Sequence, residues 1–142
     1  MSRTVPSPKI RDLAQRLLAY EAARDTFTEA KMPALALVAD KLRLPLVTFA
    51  GIAGFHSLLA RALTLATAQA PGLRTVQIEP DGSLGGFRDF DNRDPVAEAG
   101  VMLIAQLLGL LVTFIGESLM LSLVHDAWPD MAILDYNSLE KQ

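Results

Sequence analysis

Apolar residues along the first part of the chain recur at helical steps. Ile10, Leu13, Leu17, Tyr20 and Phe27 lie three, four or seven residues apart, with Arg11, Gln15, Arg16 and Glu21 between them. This pattern describes one buried stripe on an amphipathic helix, interrupted by Arg24. Ser7-Pro8 supplies a capping hydroxyl and a residue whose missing N–H is harmless in the first turn, so the helix is predicted over 7–30. Pro33 opens a short helix over 34–44 through Ala34, Leu37, Val38 and Leu42, and Pro45 is expected to end or kink it. A long helix follows over 46–69 and stops at Ala70-Pro71-Gly72. Alternation in Leu73 to Glu79, leading into Pro80-Asp81-Gly82-Ser83, predicts a hairpin over 73–86. After a surface loop containing Arg88 to Arg93, Asp94 and Pro95 cap and open a second long helix over 96–127, ahead of Trp128-Pro129. The remainder, 128–142, reads as an acidic tail whose Trp128, Met131, Ile133 and Leu134 can dock back onto a bundle. No repeat or low-complexity tract stands out.

The fold class expected is mainly α, a single domain forming a bundle of about four helices with a short β-hairpin inserted between the two long ones. Each long helix carries one narrow stripe of small and polar residues and is apolar elsewhere. In the first the stripe is Ala50, Gly54, Ser57, Arg61, Thr64 and Ala68; in the second it includes Glu98, Gln106, Gly109, Thr113, Gly116 and Glu117. Two packings follow. Either the stripes face water while the broad apolar faces form the core, or the stripes meet, bringing two backbones close and placing Arg61 near Glu117. Such a buried pair would mainly fix register, because desolvation offsets much of its Coulomb gain.

Composition narrows the function classes. Of 142 residues, 51 % are hydrophobic and 20 % charged, with a net charge of −3, which excludes a disordered chain and disfavours a nucleic-acid binder. The absence of cysteine removes disulfides, thiolate metal sites and a cysteine nucleophile. The N-terminal region lacks the uninterrupted apolar stretch of a secretory signal, so a cytoplasmic protein is expected. The 18 residues from Ala99 to Gly116 carry no charge, long enough for a membrane span over about 99–124, with the inner membrane as the alternative location. Gln106 and Glu117 count against insertion, since polar and ionised groups are expensive in hydrocarbon.

Candidate chemistry is sparse. His56 and His125 are the only histidines, and neither has a second ligand at helical spacing. Asp89, Asp91 and Asp94 fail the calcium-loop pattern, which wants glycine at position six and glutamate at twelve. The glycines of 81–86 lack a following Gly-Lys-Ser/Thr, and Ser83 lacks the flanks of a nucleophile elbow. No cofactor, metal or catalytic residue is assigned, and the chain is not expected to be an enzyme.

The segments Gly54-Phe55-His56-Ser57-Leu58-Leu59-Ala60-Arg61-Ala62-Leu63, Asp81-Gly82-Ser83-Leu84 and Leu110-Leu111-Val112-Thr113-Phe114-Ile115-Gly116-Glu117 resemble stretches of an uncharacterised family of small bacterial proteins. The similarity covers roughly residues 35 to 130 and implies a stand-alone domain, with no activity or functional residue attached. The function expected is a non-enzymatic interaction or scaffold module that self-associates through apolar helix faces, with Arg61, Gln106, Leu107, Leu111 and Glu117 as interaction residues and a second copy or a protein as partner. One alternative is a small integral membrane protein. Another is a sensor of a small apolar molecule, with a pocket lined by Phe49, Phe55, Leu103 and Phe114.

Overall fold

Ser7 caps the first helix as its sequence context predicts: its Oγ accepts the Ile10 N–H at 3.3 Å and its carbonyl accepts the Arg11 N–H at 3.0 Å. The computed structural model describes residues 7–24, 34–86 and 98–129, and the predicted end of this helix at residue 30, the loop with Asp94 and Pro95, and the tail beyond Pro129 lie outside them. Within these bounds are four helices, α1 (Pro8–Arg24), α2 (Ala34–Gln69), α3 (Glu98–Ile115) and α4 (Glu117–Ala127). Strands β1 (Gln77–Ile78) and β2 (Leu84–Gly85) form an antiparallel hairpin between α2 and α3, pairing Gln77 with Gly85 and Ile78 with Leu84. The architecture is the expected helical bundle with an inserted hairpin.

Helix α3 has α1, α2 and α4 packed against it, and every residue from Gly100 to Leu108 is buried. That accounts for a helix apolar on nearly all sides: the other helices cover most of its circumference. The stripe on α1 meets it through Ile10, Leu13 and Leu17, all in the main core cluster. Arg11 closes the same contact at the surface with a forked pair to Glu98 at 2.9 and 3.1 Å. Trp128, just past α4, is fully buried and its Nε1–H donates to Glu21 Oε2 at 2.7 Å. Lys41 of α2 pairs with the same carboxylate oxygen and lies 5.8 Å from the Trp128 ring and 6.0 Å from that of Tyr20. Burial of Glu21 is thereby offset by a charge partner and a donor, and three helices are joined at one point. The docking of Trp128 is as its sequence position suggests.

Two element boundaries differ from the sequence reading. Pro45 neither ends nor separates a helix; α2 runs through it, held by buried Leu42 and Leu46 on either side. The interruption falls at Gly51, with φ 81° and ψ 164°. Likewise the predicted helix over 96–127 is divided at Gly116, with φ 92° and ψ 157°, so α3 and α4 are separate. Both glycines occupy a backbone region that side-chain-bearing residues essentially do not enter. A Cβ at either would meet nothing within 4 Å, so conformation and not space requires glycine.

The two interruptions are alike in sequence as well. Leu46-Val47-Thr48-Phe49-Ala50-Gly51 and Leu111-Val112-Thr113-Phe114-Ile115-Gly116 match at five of six positions, 65 residues apart. At that offset Val38 and Leu103, Leu42 and Leu107, Leu46 and Leu111, Phe55 and Met120, and Leu59 and Val124 are all buried. Thr48 and Thr113, Phe49 and Phe114, Ser57 and Ser122, and Arg61 and Asp126 are all exposed. In each copy the threonine hydroxyl donates four residues back, Thr48 to the Leu44 carbonyl at 3.0 Å and Thr113 to the Gly109 carbonyl at 3.2 Å. The chain therefore contains two copies of a helix–glycine–helix unit, a repeat that the sequence reading did not detect.

Candidate interaction surface

Large apolar side chains left in water collect around the two glycine breaks. Leu44, Phe49 and Ile52 flank Gly51 with 68, 51 and 46 % of their surface exposed, and Phe114 and Leu119 flank Gly116 with 65 and 38 %. A straight helix holds one face toward its core throughout; an extended residue inserted between two helical segments changes the direction of the second and leaves side chains beside the joint without neighbours. Each threonine hydroxyl donates its proton to a backbone carbonyl of its own helix. No Asp, Glu, Lys or Arg occurs from Leu44 to Ala60 or from Ala99 to Gly116.

A polar border adjoins the first break. The hairpin turn lies over α2: Arg43 Nη1 donates to the Asp81 carbonyl and His56 Nε2–H to the Pro80 carbonyl, both at 3.3 Å. Within the turn, one oxygen of Asp81 accepts the Ser83 hydroxyl at 2.6 Å and the Ser83 N–H at 3.0 Å. These bonds, the hydroxyl first, lower the Asp81 pKa from its ordinary value, and the Arg43 charge adds to the effect. Gly82, with φ 90°, brings its backbone against Phe55 and the Arg43 side chain. The turn thus fixes the region just before and after the exposed patch on α2.

The residues expected to make contacts are distributed differently. Leu107 and Leu111 are core residues of the single chain and have no surface to offer a partner. Gln106 is also buried. Glu117 pairs with Lys9 of α1 at 3.2 Å, and Arg61 is exposed on α2, so the two do not form the pair that meeting stripes would require. The stripe on α2 faces outward at Ser57, Arg61, Thr64 and Ala68 while Phe55, Leu59, Ala62 and Ala66 are buried. Nor do Phe49, Phe55, Leu103 and Phe114 line one pocket, because Phe55 and Leu103 are fully buried and the other two point to solvent. An open groove of about 440 Å³ lies elsewhere, among Leu63, Thr67, Leu73, Arg74 and Val76. Among the described residues no group of three His, Asp or Glu side chains is placed to hold a metal ion.

The exposed residues at the breaks were missed as a set because their signal is conformational. Val-Thr-Phe-x-Gly, twice, is the part of it that sequence carries. No protein-family model matches the chain, and neither a curated protein nor a solved structure matches it.

Proposed function

We propose that the protein is a non-enzymatic cytoplasmic interaction module that self-associates through the apolar side chains exposed at its two glycine breaks. The observation that supports this reading is their grouping: among the described residues the five exposed large apolar side chains all lie within about two helical turns of the two glycine breaks, four of them in stretches without Asp, Glu, Lys or Arg. Exposed apolar patches of this kind mark association sites. The activity is burial of surface and needs no reacting group. Placing the contact at Phe49 and Phe114 also leaves Leu107 and Leu111 to the core, where they hold the bundle together.

A second reading, insertion in the inner membrane, is favoured by one observation. Helices α2 and α3 are each long and apolar enough to cross a bilayer, and the most apolar 18-residue window of α2 is only 22 % buried, against 56 % for α3. Expression without detergent, followed by an alkaline carbonate wash of the membrane fraction, separates the two. Self-association predicts soluble protein with a mass above the monomer, reduced by Phe49→Asp or Phe114→Asp. Retention in the washed membrane would replace it with the second reading.

A further inference from the structure

Two equivalent units in one chain give the exposed surface an internal symmetry, and at one pair of equivalent positions the two copies carry opposite charges. Phe49 and Arg61 lie twelve residues apart in the first unit, and Phe114 and Asp126 lie twelve apart in the second. All four are exposed. Arg61 and Asp126 thus occupy the same place on two like surfaces with opposite sign, and among the described residues neither has an ion-pair partner. Pairing like unit with like in parallel register would set arginine against arginine and aspartate against aspartate. Pairing unlike units in parallel register sets Phe49 beside Phe114 and Arg61 beside Asp126 at the same time.

We infer that the partner is a second copy of this chain, its 98–127 unit lying against the 34–69 unit of the first, with Phe49 meeting Phe114 and Arg61 meeting Asp126 across the contact. This rests on the self-association proposed above and specifies which surfaces meet. The available area is of the right order. Taking roughly 200 Å² for a fully exposed large apolar side chain, the five residues at the breaks expose on the order of 500 Å². A standard interface buries about 800 Å² on each partner, and the small exposed residues alongside, Ala53 and Ser57 in one unit and Ser118 and Ser122 in the other, permit close approach over the remainder. Apolar contact would supply the affinity and the charge pair the choice of partner surface.

Charge exchange between chains tests this. Arg61→Asp and Asp126→Arg are prepared separately in the full-length protein, and sedimentation equilibrium at low salt reads self-association of each alone and of the two mixed. Each variant alone opposes like charges wherever unlike units meet, and its association weakens about tenfold. In the mixture every such contact regains opposite charges, so the two variants co-assemble at least as tightly as the wild type. Unchanged helix content and melting of each variant establish that folding is intact. Single variants that associate like the wild type, or a mixture that stays as weak as its components, would overturn the cross-unit contact and leave self-association standing. A wild-type chain that is monomeric at all concentrations removes both.

Discussion

The Trp128 indole has few alternatives to the place it occupies. Trp128 is 1 % exposed and its N–H donates to the buried Glu21 carboxylate. Trp128→Ala is expected to cost about 3–5 kcal/mol through the void it leaves. Glu21→Ala should cost about 1–3 kcal/mol, chiefly by leaving the indole donor unsatisfied; chemical denaturation of both variants measures this. Asp81 acts at the surface and through pH. Because its folded pKa lies below the unfolded value near 3.8, its contribution to stability is fully present above that value and is lost as pH falls through the folded pKa. Wild type and Asp81→Asn should therefore differ in melting temperature at about pH 6, and the difference should shrink as pH falls below the unfolded value near 3.8. A difference that persists in acid would show that the turn does not depend on the carboxylate.

At the scale of elements, the glycine breaks decide what was legible. Stripes such as Ile10, Leu13 and Leu17 identify their helix because a 3.6-residue period survives any change in neighbours, and Ala70-Pro71-Gly72 marks a helix end by chemistry that acts locally. Gly51 and Gly116 give no such local sign, since an isolated glycine inside an apolar run is compatible with a continuous helix. Pro45 drew attention to the wrong place: its missing N–H removes one bond, whereas the interruption six residues later, at φ 81°, follows from how the second segment packs. The helix wheel of an unbroken rod puts Gln106, Leu107 and Leu111 on faces that look available, whereas neighbouring helices cover them; a rod does not say which apolar face its neighbours will take, and Arg61 stays exposed. Substituting Gly116 by Ala places a Cβ in a backbone region of roughly 1–3 kcal/mol strain. The variant is expected to lose that stability, or to straighten α3 into α4 at the expense of the Lys9–Glu117 pair. Denaturant titration together with hydrogen exchange of the Lys9 and Glu117 regions distinguishes the two responses.

For the molecule as a whole, core and surface residues of similar character should respond in opposite ways. Leu111→Asp introduces a charge without a partner into the core, a penalty comparable with the roughly 5–15 kcal/mol that holds a domain folded, so the protein is expected to unfold or precipitate. Phe114→Asp, three residues away but 65 % exposed, should leave helix content and melting unchanged and lower only the assembled mass. Retained folding in Leu111→Asp would place α3 at the outside of the bundle. The doubled unit has one more consequence, for tolerance to mutation. If two stretches bury the same positions and turn at the same glycine, they share a list of forbidden substitutions. A survey of all single substitutions, plotted along the chain, should then correlate with itself at a lag of 65 residues, weakest at Asp40 and Ala105, where one copy is exposed and the other buried.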